Sequence, residues 1–179
     1  MSTSANSTPR RAWAEPRTGR REKPFSLARA ARYAVFCGAG AGIASQVFLA
    51  FAARATGQSV WRPINATSHW VWGERAGQER GADLAHTGVG LATNQAAALF
   101  WGTLFGLYLA RRQSRNEAET LRDAAVMGLI ASTLDYGILP RRLTPGWELA
   151  LGNGGAALGM AATALGLGLG GIAAQKSEE

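Results

Sequence analysis

Four side chains able to carry chemistry lie between long apolar stretches: His69, His86, Asp135 and Glu148. Histidine changes charge near neutral pH and ligates metals or haem, and a carboxylate inside an apolar segment is a functional candidate. The two histidines lie 17 residues apart with no metal-binding motif, and the single Cys37 excludes a zinc-type cysteine cluster. We therefore expect no metal and no cofactor. A catalytic or ligand-binding site built from the four side chains remains an alternative.

Tryptophan is concentrated in one short connector, WRPINATSHWVWG, at residues 61–73. Tryptophan favours a membrane–water interface, where the ring is buried and the indole N–H stays hydrated. We expect Trp61, Trp70 and Trp72 to lie at such an interface, or folded over the mouth of a helix bundle. Trp147 should lie at the same level.

Asp135 is the carboxylate embedded most deeply in apolar sequence. It precedes Pro140 by five residues, and a proline ends a helix, so Asp135 should lie near a helix end. We expect it to pair with Arg141, Arg142 or a histidine and to fix the corner between two helices. Catalysis or ion binding at this carboxylate is the alternative.

Four apolar segments must position these side chains. A helix needs about 20 apolar residues to cross a hydrocarbon core of about 30 Å. Three segments are uncharged and long enough, whereas the third in chain order is short and contains the aspartate, so it is either a crossing or a re-entrant helix. The first could also be a signal peptide, but its apolar core is longer than usual. The sequence predicts an all-α bundle of four transmembrane helices, at residues 33–53, 87–110, 124–139 and 149–174.

The chain divides into a basic tail at residues 1–32, a membrane domain at 33–174 and a short C-terminal tail at 175–179. The first tail contains eight of the 19 basic residues, three prolines and few large apolar residues, so we expect it to be disordered. Anionic lipid headgroups would attract it. Nucleic acid is not an expected partner, because the tail has no folded nucleic-acid-binding motif.

Four crossings place 13 basic residues on the side of both termini and six on the other side. The positive-inside rule then predicts cytoplasmic termini in a bacterial inner membrane. The connector at 54–86 and the turn at 140–148 would share the outer surface. The sequence thus predicts a polar outer-face cluster of Asn65, His69, Trp70, His86, Asp135, Arg142 and Glu148.

Glycines recur at a spacing of about four residues within the apolar segments. Such spacing lets helix backbones approach closely, either within one chain or between copies in a homo-oligomer. Both readings remain open for the predicted packing residues, Gly38, Gly42, Gly102, Gly106, Gly155, Gly159, Gly166 and Gly170.

Two segments, NATSHWVWG at residues 65–73 and DYGILPRRLTPGWE at 135–148, carry a resemblance to known proteins. Together they resemble a family of small, uncharacterised bacterial inner-membrane proteins, over residue 63 to about residue 170. The resemblance implies a polytopic membrane protein and no particular activity. It also implies one structural cluster formed by Asn65, His69, Trp70, Asp135, Arg142 and Glu148.

These observations favour an integral inner-membrane protein with an accessory or structural role. One alternative is a membrane-embedded enzyme or ligand binder that uses His69, His86, Asp135 and Glu148. Another is a small transporter or channel formed by oligomerisation, since few polar residues lie inside the bundle.

Overall fold

The computed structural model describes residues 25–112 and 116–178. Helices and turns make up this part of the chain, and it contains no strand. The predicted all-α class is therefore confirmed. The six α-helices are α1 (Leu27–Ala55), α2 (Arg62–Ala66), α3 (His69–Trp72), α4 (Val89–Arg111), α5 (Glu117–Thr133) and α6 (Glu148–Lys176).

Helix α1 begins at Leu27, six residues before the predicted start. The side chain of Ser26 accepts a hydrogen bond from the backbone N–H of Arg29 and so caps the first turn. The predicted tail boundary at residue 32 is therefore wrong, and the last six tail residues are helical. The rest of the tail that we expect to be disordered, residues 1–24, lies outside the described part of the chain.

The four long helices form an antiparallel bundle in which α1 is central. It packs against α4 on one side and α6 on the other, and α5 packs against α6. Helices α4 and α5 have little contact with each other. The bundle therefore leaves a gap along one side.

Glycines bring α1 and α4 into backbone contact. A Cβ at Gly102 would lie 2.5 Å from the Gly38 Cα, and one at Gly106 would lie 2.8 Å from the Ala34 Cα. Both distances are too short for real Cβ atoms, so only glycine fits. A Cβ at Gly42 would overlap the Gln95 side chain, which also donates to the Gly38 carbonyl oxygen at 3.3 Å.

Glycines have the same role between α1 and α6. A Cβ at Gly166 would lie 2.7 Å from the Gly40 carbonyl carbon, and one at Gly170 would lie 2.8 Å from the Cys37 Cα. These glycines serve packing within the chain. Gly155 differs, because its closest neighbour is Leu151 of its own helix.

Helix α5 and the π turn that follows it, Leu134–Ile138, start seven residues before the predicted third segment. Asn116 caps the helix by accepting from the Glu119 N–H. At 1.5 Å per residue the combined element is roughly 30 Å long. The predicted sixteen-residue segment was too short because charged residues fill the first turns of the real helix.

Helix α6 starts with a single turn and then changes direction at Gly152, whose φ of 68° is accessible mainly to glycine. Helix α4 is preceded by a π turn, Leu84–Gly88, so the predicted start at residue 87 fell inside that turn. The predicted ends of both segments differ from the observed helices by one or two residues.

Side chains tie the helices together where the chain enters α1, an end of the bundle we call the tail end. Glu178 pairs with Arg29 at 3.1 Å and with Arg32 at 2.6 Å. Lys176 pairs with Glu117 at 2.7 Å. The two arginines belong to the predicted lipid-binding tail, but in the fold they hold the C-terminus.

Two of the four long helices, α1 and α6, have the length and apolar composition needed to cross a bilayer. Helix α4 has 23 residues but contains Asn94 and Gln95, which lower its mean hydropathy. Helix α5 has 17 residues and a charged first turn. The composition of the described helices thus supports two membrane spans of the four predicted.

Candidate functional site

The end of the bundle opposite the tail end is covered by residues 56–88 and 139–147, which we call the cap. Within its first part, Pro63 lies in the first turn of α2, where a proline is tolerated because the missing N–H needs no partner. Gly73, with a φ of 74°, ends α3. Pro63 and Gly73 thus divide the connector into short helices instead of one long helix.

Asn65 is fully buried and holds the first part of the cap together. Its Nδ2 donates to the carbonyl oxygens of Glu79, at 3.1 Å, and Gly81, at 2.8 Å. Its Oδ1 accepts from the Thr87 hydroxyl at 2.6 Å. Three of its four hydrogen-bonding positions are therefore filled by its own connector, and the side chain is not available to a ligand.

His69 joins the two parts of the cap. Its Nδ1 lies 3.0 Å from the Ala66 carbonyl oxygen and its Nε2 lies 3.2 Å from the Arg141 carbonyl oxygen. The ring is buried, with 4% of the residue exposed. Gly146 makes the contact possible, because a Cβ there would lie 2.5 Å from the His69 Nδ1.

Trp70 and Arg142 form further bonds between the two parts of the cap. The Trp70 Nε1 donates to the Thr144 carbonyl oxygen at 2.7 Å, and the Arg142 Nη2 donates to the Trp70 carbonyl oxygen at 3.4 Å. The Thr144 hydroxyl contacts the Glu148 Oε1 at 3.1 Å. The contacts that His69, Trp70 and Arg142 make between the two parts of the cap all involve a backbone carbonyl oxygen.

Trp147 lies inside the bundle and not at its surface, and it is joined to the tryptophan-rich connector. Only 3% of the residue is exposed, and its ring packs on Gly159 of α6 and near Leu49 of α1. The indole Nε1 donates to the Thr67 hydroxyl at 3.2 Å. The turn before α6 therefore anchors the cap in the apolar core.

His86 lies apart from His69. Its backbone N–H donates to the Asp83 carboxylate at 2.6 Å, and its ring Nδ1 lies 3.0 Å from the same carboxylate. The backbone hydrogen bond is the main reason why the pKa of Asp83 is lowered. The ring also lies against Trp72, whose Nε1 donates to the Ala85 carbonyl oxygen. These groups brace the π turn that leads into α4.

Asp135 occupies the π turn after α5, and it lines the same cavity as Trp101 of α4. Within residues 25–112 and 116–178 it forms no ion pair, so the expected pairing with Arg141, Arg142 or a histidine is not present. Glu148 is contacted instead by Thr144 and Tyr136.

No family model matches the chain, and the comparisons found no similar curated protein or solved structure. Function has to be inferred from the geometry alone.

The seven predicted outer-face residues all lie at the cap end, but they form three separate groups. The bonded set contains His69, Trp70, Arg142 and Glu148, linked through the two parts of the cap. Asn65 is joined instead to the Asp83 turn, through the Thr87 hydroxyl. His86 belongs to the Asp83 turn, and Asp135 belongs to the gap between α4 and α5. The described residues also include no cluster of three side chains suited to a metal.

Several residues that organise the site were not singled out from the sequence. Thr67 and Thr87 bond the buried tryptophan and asparagine, and Trp101 reaches Asp135 from another helix. A threonine has no distinctive spacing signal, because its hydroxyl is usually satisfied locally. Gly146 did carry a signal, since the pair Pro145-Gly146 is typical of a turn that needs a positive φ.

Proposed function

We propose that the protein is a four-pass integral protein of the bacterial inner membrane, with cytoplasmic termini and an accessory or structural role. The observation that carries the proposal is the cap. Its polar side chains bind backbone carbonyls of a segment more than 70 residues away in sequence, as the His69 and Trp70 bonds do. Groups held this way fix a shape and are not poised to transfer protons.

The exposed surface of the bundle supports membrane insertion. Large apolar side chains point outward from all four long helices, including Val47, Phe51, Phe100, Leu129 and Leu158, each more than half exposed. Soluble monomers rarely expose contiguous apolar patches of this extent. A hydrocarbon environment would cover these side chains.

The lengths and directions of the helices support four crossings. Alternate helices run in opposite directions, so α1 starts and α6 ends at the tail end, where Glu178 meets Arg29 and Arg32. Helix α5 with its π turn is roughly 30 Å long, but its first turns are charged and its apolar part, residues 124–138, is only roughly 22 Å long, so its crossing requires a locally thinned bilayer.

The enzyme alternative receives less support, because His69, His86, Asp135 and Glu148 each have a different structural partner. The oligomeric transporter also receives less support. The main sequence evidence for an oligomer was the glycine spacing, and most of those glycines contact other helices of the same chain. A homo-oligomer remains a prediction, and no helix surface is assigned to its interface.

An alanine substitution at Asn65 separates the structural role from the catalytic one. Asn65→Ala removes three buried hydrogen bonds and leaves two carbonyls and a hydroxyl without their partner. We expect an apparent melting temperature lower by several degrees for the purified protein in detergent. His86→Ala, which removes an exposed contact, is the matched control.

The structural proposal fails if Asn65→Ala melts like the wild type. The catalytic alternative would gain support if Asp135→Asn and His69→Ala both kept the wild-type melting temperature while abolishing a thermal shift induced by a water-soluble ligand. These two results involve different residues, so each can be read independently of the other.

A further inference from the structure

A cavity of about 1,040 Å³ fills the gap between α4 and α5. It exists because α4 packs on α1 while α5 packs on α6, and the two helices scarcely meet. This volume is at the upper end of the range for ligand pockets, which is about 300–1,000 Å³. Its walls are mostly apolar and include Ala97, Trp101, Leu104, Met127, Ile130 and Leu134.

The cavity has the length of one leaflet of a bilayer. On α4 its lining runs from Thr93 to Leu104, which is roughly 17 Å at 1.5 Å per residue. Half of the hydrocarbon core is about 15 Å thick. An acyl chain that entered at the cap end would therefore reach about the middle of the bilayer.

The rim of the cavity is apolar and faces sideways. Phe100, Leu104 and Ile130 line it and are 58%, 39% and 46% exposed. In the four-pass topology these side chains face lipid, so the cavity opens to the bilayer and not to water. Protein interiors leave few large voids, so a gap of this size calls for an occupant.

One carboxylate lies at the cap end of the cavity. Among the described residues that line the cavity, Asp135 carries the only charged side chain. Trp101 is its polar neighbour in the lining, whereas an ionised carboxylate has about four acceptor positions. A carboxylate in such apolar surroundings is stabilised by a cationic partner. A primary ammonium group fits this requirement, because it carries a positive charge and three donors.

Residues 1–24 are a poor candidate for the occupant. They precede Phe25 at the tail end of the bundle, where Arg29 and Arg32 pair with Glu178, whereas Asp135 lies at the cap end. In the proposed topology residues 1–24 are cytoplasmic, whereas Asp135 lies toward the outer side.

We infer that the cavity between α4 and α5 binds one phospholipid of the outer leaflet, with an acyl chain along the two helices and a primary ammonium headgroup at Asp135. The inference rests on the proposed four-pass topology. It assigns the aspartate a role in lipid recognition that is separate from the cap.

The test uses the full chain, purified in detergent, and native mass spectrometry with two probes. Dioleoyl-phosphatidylethanolamine carries the ammonium group, and dioleoyl-phosphatidylglycerol has the same chains without it. We expect the wild type to retain one ethanolamine lipid with about a tenfold preference over the glycerol lipid. Asp135→Asn should lose that preference and retain both lipids equally.

A matched pair of substitutions on α4 tests the cavity itself. Ala97→Phe fills the lining, whereas Ala92→Phe adds the same side chain at an exposed position outside it. We expect Ala97→Phe to reduce retention of the ethanolamine lipid at least tenfold and Ala92→Phe to leave it unchanged.

Three results would overturn the inference. One is equal retention of the two lipids by the wild type, which does not depend on any variant folding. Another is undiminished retention by Ala97→Phe. The third is a dimer that Ala97→Phe dissociates, because a second copy would then be the occupant. The proposed topology is tested separately, by labelling single cysteines in intact cells. A wrong topology would therefore be detected whatever the result of the lipid measurement.

Discussion

Gly146 offers the most direct test of how the two parts of the cap meet. Its φ is 79°, and a Cβ would lie 2.5 Å from the His69 Nδ1 and 2.8 Å from the Ala66 carbonyl oxygen. The backbone conformation alone costs an L-residue roughly 1–2 kcal/mol. Neither neighbour can move freely, because the histidine ring is buried and held between the Ala66 and Arg141 carbonyl oxygens.

Forcing a methyl group into such a contact costs about 1–3 kcal/mol more, as in overpacked cores. Gly146→Ala should therefore destabilise the protein by about 2–5 kcal/mol. Gly57→Ala is the matched control, because Gly57 also lies in the cap, has a φ of 71° and has no atom within 4 Å of the added Cβ. It should lose only the roughly 1–2 kcal/mol of backbone strain.

The assay is thermal unfolding of both variants in the same detergent. A difference of about 2 kcal/mol corresponds to roughly 4–8 °C for a chain of this size. Equal melting temperatures for Gly146→Ala and Gly57→Ala would refute the reasoning, since they would mean that the turn at residue 146 does not approach the histidine ring.

Three further predictions concern the cap and the bundle. His69→Ala removes the buried ring that lies between the Ala66 and Arg141 carbonyl oxygens and should cost about 1–3 kcal/mol by thermal unfolding, whereas His86→Ala should change stability little. Gly102→Val would force α1 and α4 apart and should lower folded yield and stability by about 3 kcal/mol, whereas Gly154→Val, with open space around its Cβ, should be tolerated. Because hydrogen bonds lower the pKa of Asp83, its contribution should be complete above the unfolded pKa of about 3.9 and should be lost as pH falls through the lower folded pKa. Asp83→Ala removes the carboxylate that accepts from the His86 N–H, so this variant should show faster amide exchange of His86 near neutral pH, and unchanged exchange would contradict the prediction.

The helical class and the order of the long helices could be predicted because an apolar stretch of twenty residues forms few stable structures other than a helix. Their ends could not be predicted as well. Ser26 and Asn116 extend α1 and α5 into charged sequence, where capping overrides the apolar pattern. Glycine spacing predicted close packing, but spacing alone does not say which helix is the neighbour.

The location of the site could be predicted from the sequence better than its hydrogen bonds could. Placing residues 65–73 and 135–148 on one surface followed from topology, and the His69 and Trp70 bonds join these segments. The partners are backbone carbonyls, which no sequence pattern reveals. The cavity beside Asp135 depends on α4 and α5 not packing together, which is a property of the whole bundle.

The measurement that tests the central claim most directly is the topology of the chain in intact cells. Single cysteines replace Arg75, Arg142 and Ser177, all exposed, in a background where buried Cys37 is alanine. The four-pass account predicts that an impermeant maleimide labels positions 75 and 142 from outside and labels position 177 only after permeabilisation. Labelling of position 142 only after permeabilisation, or of position 177 in intact cells, would contradict it.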